Sequence, residues 1–257
     1  MILAKTVAIV NQKGGVGKTT TAINMAAYVA KEGKNVLLVD FDPQGNAGSG
    51  FGIQKNKLEK TVYNLLMGNT SPAEVIYKTD VERLNIMPCN IDLAAAEVEL
   101  VNLPRRESFL RDALSSVKNE YDFIMIDCPP SLGLLTLNAL TASDCVVIPI
   151  QSEFFALEGL TQLLNTIKLV KQRMLNPNLY LSGVILTMND TRSTMSKQVT
   201  AEIRSFFGGK VYETAVPRNI KLCESPSFGV PVMLHAPKSS GAVAYQKLAK
   251  EFLTREG

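Results

Sequence analysis

Thr6-Val7-Ala8-Ile9-Val10 leads through Asn11 into Gln12-Lys13-Gly14-Gly15-Val16-Gly17-Lys18-Thr19-Thr20, and this junction decides the fold. The first five residues are small or β-branched and read as a buried strand. From Thr19 to Glu32 the residues Ile23, Ala26, Ala27 and Ala30 recur at helical spacing, and Gly33 follows as a stop. Val36-Leu37-Leu38-Val39 is the next strand. Strand, glycine loop, helix and strand make one βαβ unit, which closes right-handed.

The same alternation continues down the chain. Phe123-Ile124-Met125-Ile126, Cys145-Val146-Val147-Ile148-Pro149-Ile150 and Leu181-Ser182-Gly183-Val184-Ile185-Leu186 are further apolar runs of strand length. Such runs suit a parallel sheet covered on both faces, so the expected fold is α/β: a doubly wound, mostly parallel sheet with helices on both sides. Gln54 to Leu84 is more polar and reads as a helical excursion. A last helix, about Gly241 to Thr254, should dock through Val243, Tyr245, Leu248 and Phe252.

The chain has 257 residues and no repeat, low-complexity tract or Ser/Gly linker, so one domain over 1–257 is expected. Apolar residues at 46% and charged residues at 20% exclude a disordered chain. The net charge is only +3, but it is uneven. Residues 1–150 carry 14 basic and 16 acidic side chains, and residues 151–257 carry 13 and 8, so a polyanion would meet the second half. Cys89, Cys128, Cys145 and Cys223 form no CxxC pair, which fits packing roles in a reducing compartment. No apolar run approaches the ~20 residues that span a bilayer. Lys5 and Lys13 interrupt any signal-peptide pattern, so a soluble cytoplasmic protein is expected.

Three strings carry chemistry. In the first, glycines let backbone N–H groups converge on phosphate oxygens, and the helix start adds partial positive charge. Gly14, Gly15, Val16, Gly17, Lys18, Thr19 and Thr20 form that cradle, with Lys18 reaching the β- and γ-phosphates and Thr19 ligating Mg²⁺. Gln12 replaces the first glycine of the standard P-loop, and a second lysine, Lys13, stands near the loop's start. The plainer reading is a glycine turn without a ligand. The second string, Asp40-Phe41-Asp42-Pro43-Gln44-Gly45-Asn46, puts two acids where a strand ends. Asp40 would hold a Mg²⁺-bound water and Asp42 would orient the attacking water, although all these residues also form turns. In the third, four apolar residues end in Asp127, followed by Cys128-Pro129-Pro130-Ser131, a Walker B pattern whose acid binds Mg²⁺ through water.

The Lys13 variant resembles the deviant Walker A motif, KGGxGK[ST], of the ParA/MinD group of P-loop ATPases. The resemblance implies ATP and Mg²⁺ as ligands, and it implies that Lys13 crosses a dimer interface to the partner's nucleotide. Asp40 to Asn46 is similar to the DxDPQ-N element of ParA proteins, which ties Asp42 to hydrolysis. Gln151 to Gly159, Val216-Pro217-Arg218-Asn219, Ser225-Pro226-Ser227-Phe228-Gly229 and Ala236 to Ala242 resemble the Soj-type subgroup, so the likeness runs from Thr6 to Phe252. By the same analogy Met188, Asn189, Pro217 and Asn219 would frame the adenine.

The resemblance implies a slow ATPase and ATP-dependent homodimer, stimulated by a ParB-type partner and by DNA, that binds double-stranded DNA non-specifically on the nucleoid. Arg192, Lys197, Arg204, Lys210, Arg218, Lys221, Lys238 and Lys247 are the candidate phosphate contacts, against a plain solvated surface. Strand 1 begins at once, so the helix-turn-helix extension of larger partition ATPases is not expected. A MinD-like membrane switch is the alternative, but the chain ends soon after its last helix and leaves no room for an anchor. A reductase like the nitrogenase iron protein would need exposed cysteines, for which Cys89 and Cys128 are the candidates. A small-molecule ligase or kinase would need an acceptor pocket that the sequence does not reveal. The lone His235 reads as a loop residue.

Overall fold

The computed structural model describes residues 3–153 and 156–257. Seven strands form one sheet: β1 Lys5–Ile9, β2 Val36–Asp40, β3 Tyr77–Lys78, β4 Leu84–Met87, β5 Phe123–Asp127, β6 Cys145–Gln151 and β7 Tyr180–Thr187. Their order is β3-β4-β2-β5-β1-β6-β7, parallel throughout except for antiparallel β3 at one edge. The expected mixed sheet is therefore present. The five strands read in the sequence each lie within about one residue of that reading, because these runs are almost wholly apolar.

The helices are α1 Lys18–Lys31, α2 Asn46–Ser49, α3 Val62–Leu66, α4 Leu93–Glu99, α5 Phe109–Leu114, α6 Leu134–Ala142, α7 Ala156–Gln172, α8 Thr194–Phe207, α9 Ile220–Glu224, α10 Val232–His235 and α11 Ser240–Glu256. They cover both faces, as the period-2 alternation of β2 records. Val36 and Leu38 pack with α1 and α11, whereas Leu37 and Val39 pack on the side of α3 to α7.

Four expectations need correction. Gln54 to Leu84 is not a helical excursion: it holds two 3₁₀ turns, the five-residue α3 and the strand β3. Gly68 and Pro72 interrupt it, and β4 then opens at Leu84 with only four residues, too short to betray itself by periodicity. On α11, Tyr245, Leu248 and Phe252 are buried but Val243 is 41% exposed. Two residues before Tyr245, Val243 lies about 200° around the helix from the buried stripe. His235 ends α10 and stacks on Phe228 at 4.6 Å. Cys89, Cys128 and Cys145 are buried, whereas Cys223 is exposed. Phe154 and Phe155, within the Gln151 to Gly159 resemblance, lie outside the described residues.

Phe252 is fully buried and its ring meets Phe123 at 5.3 Å, which joins α11 to the sheet. Phe252→Ala is expected to lower unfolding free energy by about 3–5 kcal/mol in a denaturant titration, through lost burial plus a residual cavity. A loss under about 1 kcal/mol would mean that α11 is not part of the cooperative core.

Candidate active site

Parallel strands deliver their carboxyl ends to one rim, and three of them carry the chemical strings. Asp40 ends β2 and pairs in register with Asp127 at the end of β5, and Asp127 pairs in turn with Ile9 of β1. The glycine loop leaves β1 at this point and enters α1. Gly15 and Gly17 have φ of 74° and 85°, which only glycine adopts without strain. Gly17 caps α1 without a side-chain hydrogen bond, and no acid occupies the first turn. The helix start thus keeps its backbone donors and partial positive charge for an anion.

The loop is braced by residues that sequence reading did not single out. Asn11 Nδ2 donates to the Pro149 carbonyl at 2.7 Å, while its Oδ1 accepts from the Lys13 N–H at 2.9 Å. Thr187, at the end of β7, donates to the Val16 carbonyl at 2.8 Å. Neither residue has a sequence signature, since both act through partners more than 130 positions away.

Lys18 is buried, with Nζ donating to the Lys13 carbonyl at 3.2 Å. Burial lowers its pKa, opposed by the charges of Asp127 and Asp42. Lys13 extends from the loop's other side, half exposed, and pairs with Glu153 at 2.9 Å. Asp42 is 7% exposed and its Oδ1 accepts from the Gln44 N–H at 3.0 Å.

Asp40 and Asp127 are fully buried. Asp40 Oδ2 accepts from the Gly48 N–H at 2.8 Å, but among the described residues its Oδ1 and both oxygens of Asp127 have no hydrogen-bond partner. Burial raises both pKa values, that of Asp40 to about 7 despite its bond from Gly48. The nearby Thr19 hydroxyl counters part of that rise at Asp127. Three orphaned carboxylate oxygens beside a threonine hydroxyl and an anion-seeking loop fit a divalent cation bridging protein to phosphate.

This geometry sets a pH dependence. The Asp40 carboxyl keeps its proton up to about pH 7 in the fold, whereas the unfolded chain releases it near pH 4. Its contribution to nucleotide-free stability is therefore complete below about pH 4 and is lost as pH rises toward 7. Asp40→Asn should raise the nucleotide-free melting temperature at pH 8 by roughly 2–10 °C and leave it nearly unchanged at pH 4. Equal melting temperatures at pH 8 would contradict the burial argument.

The residues expected to frame the adenine lie along two cavities and a helix cap. Pro217 and Asn189 form a bridge and line a cavity of about 710 Å³ with Lys238 and Lys247. Met188, with φ of 48°, faces a neighbouring cavity of about 320 Å³ with Glu153 and Arg218. Asn219 spends its amide on Ser240 Oγ at 2.7 Å and its oxygen on the Lys221 N–H at 2.9 Å, as the cap of α9.

The basic candidates are also dispersed. Arg192 pairs with Asp190, Arg204 with Glu213 and Lys221 with Glu224. Lys210 lies beside Tyr180 and Arg255 at the amino end of β7, opposite the glycine-loop rim. Lys197 is exposed on α8.

Comparison with known proteins adds three relatives and one family model. Residues 4–181 match the model described as an AAA domain. The chain is 55% identical to the sporulation initiation inhibitor protein Soj of Bacillus subtilis over 97% of this chain and 98% of that protein. It is 52% identical to the chromosome partitioning protein ParA of Myxococcus xanthus over 99% and 89%. A solved structure of cobyrinic acid a,c-diamide synthase from Mycobacterium smegmatis, with bound ATP analogue and magnesium, superposes with a TM-score of 0.87. It is 38% identical and covers 98% of this chain and 94% of that one.

Proposed function

The chain belongs to the Soj/ParA family of chromosome-partitioning proteins, and from that premise we propose that it is a Mg²⁺-dependent ATPase acting as a dimerising switch on DNA. The observation that carries the reading is the group formed by buried Lys18 and the unpartnered oxygens of Asp40 and Asp127 around an uncapped helix start. Backbone donors from Gly14 to Thr20 cradle the phosphates, and Lys18 meets the β- and γ-phosphates, where its charge is matched. Thr19 would hold Mg²⁺ directly, with Asp40 and Asp127 holding its waters. The ion supplies charge neutralisation on the phosphate oxygens. Asp42 orients a water whose oxygen attacks the γ-phosphorus. The bond to the β–γ bridging oxygen breaks, and ADP and phosphate leave with the water's proton passing to solvent or phosphate.

Lys13 gives the site its switch. In a single chain it is held by Glu153, and across a dimer it would exchange that carboxylate for the partner's nucleotide. Two chains would then double the phosphate contacts of the basic half. The salt dependence of DNA binding would steepen by about 0.9 per added phosphate neutralised. A ParB-type protein would stimulate hydrolysis and so release the dimer. We assign the whole of 1–257 to this one unit. Arg218, beside Met188, and Lys238 and Lys247, which line the cavity at Asn189 and Pro217, come first as DNA contacts, ahead of the ion-paired arginines and Lys210.

The rival readings lose their supports. The apolar stripe of α11 is buried on the sheet, and among the described residues no helix is long and apolar enough to cross a membrane. Cys89 and Cys128 are wholly buried, which withholds the thiolates an interfacial cluster would need.

The decisive experiment is binding to a non-specific duplex with ATP, with ADP and without nucleotide across a salt series, using Asp42→Ala to prevent turnover. Binding should require ATP, fall steeply with salt and disappear in Lys13→Ala with Asp42→Ala. An ATP dimer that ignores DNA at low salt would make the basic half a solvated surface.

A further inference from the structure

The turn that carries Asp42 is anchored from behind by Cys89, two residues past the end of β4. Cys89 is fully buried, and its thiol donates to the Asp42 carbonyl oxygen at 2.7 Å. The same thiol also interacts electrostatically with the Asp40 carboxylate. The Cys89 backbone closes on the other end of the turn: a Cβ at Gly45 would sit 2.7 Å from the Cys89 carbonyl oxygen. Gly45 also has φ of 61°, so both its conformation and its neighbour require glycine. Between these ends the Gly45 N–H donates to the Asp42 carbonyl at 2.8 Å. One residue thus touches the first and last members of the turn, and the Asp42 carbonyl accepts from both Gly45 and Cys89.

Turn geometry governs where the Asp42 carboxylate points, because among the described residues its hydrogen bond is local, to the Gln44 N–H. Misplacement of a reacting group by a fraction of its contact distance reduces rate far more than it reduces binding. The thiol's hydrogen bond goes to the Asp42 carbonyl and not to the phosphate cradle, and Asp40 is held by Gly48.

We propose that Cys89 is a positioning residue for Asp42: its thiol and backbone carbonyl fix the Asp42–Gly45 turn and set the hydrolysis rate without contributing to ATP affinity. The inference rests on the reading of Asp42 as the residue that orients water. It is tested by steady-state MgATP hydrolysis and ATP binding with Cys89→Ala, Cys89→Val and Cys89→Ser in the full chain. Cys89→Val keeps the volume without the donor, and Cys89→Ser keeps the donor. Cys89→Ala and Cys89→Val should turn over about threefold to tenfold more slowly, the range of one lost neutral hydrogen bond. KM should stay within about twofold, and Cys89→Ser should stay close to the unaltered rate. A full rate in Cys89→Val, an equal loss in Cys89→Ser, or a KM rising in parallel would each overturn the proposal. Asp42→Ala run alongside separates the two ideas. Full turnover there would overturn the role of Asp42 and this inference with it. An inactive Asp42→Ala beside a full-rate Cys89→Val would overturn this inference alone.

Discussion

Asp42→Ala is expected to hydrolyse ATP at least about a hundredfold more slowly than the unaltered chain while still binding ATP with Mg²⁺. A positioned group that manages the attacking water contributes typically ~10²–10⁴ in rate. Asp42 is suited to that work by its place: it follows Asp40 by two residues, is 7% exposed, and leaves the phosphate cradle to the loop after β1. Loss of its carboxylate removes no bond to Lys18, whose Nζ donates to the Lys13 carbonyl. Binding should therefore survive, and a slow ATP complex should accumulate. Nucleotide binding by filter capture and phosphate release by a coupled assay would separate the two steps. A parallel loss of both would move Asp42 from the hydrolytic step into ATP binding.

The second large effect concerns Lys18. Lys18→Ala is expected to weaken ATP binding by about a hundredfold or more, because truncating one member of a buried charge network costs ~2–5 kcal/mol. In the unaltered protein the ammonium is buried, with Asp127 and Asp42 opposing the loss of its charge. Without it the buried carboxylates of the rim lose the ammonium beside them, and an incoming triphosphate meets added repulsion. Lys13→Ala provides the contrast, since Lys13 is half exposed and already satisfied by Glu153. It should bind ATP almost normally and fail at dimerisation. If Lys13→Ala and Lys18→Ala lost ATP affinity equally, the two lysines would share one role and the dimer switch would lack its structural basis.

The glycine loop, its two lysines, Asp40, Asp42 and Asp127 could all be read from the sequence because each follows or ends an apolar strand. Chain order alone then places them at one rim of a parallel sheet. The five long strands were legible for the same reason: residues such as Ile124 and Val146 are buried whichever way they face. What failed had a physical cause in each case. β4 is four residues and β3 two; β4 exists because β2 offers a partner, and β3 because β4 then does. Val243 carries a core-type side chain on the outward face of α11. The cap that Asn219 makes on α9 was not read from the sequence.

The sequence by itself determined the fold class and the chemical strings, since strand burial, helix periodicity and the glycine loop are local properties of consecutive residues. Only the tertiary structure decided which partners those strings have. It set Asp40 against Asp127 across adjacent strands, held Lys13 on Glu153, and tied Asn11 to Pro149 and Thr187 to Val16. It also brought Cys89 beneath the Asp42 turn. Those contacts join residues 47 to 171 positions apart, or strands that are not neighbours in the chain. Their distances follow from how the strands assemble into the sheet, which no local pattern records.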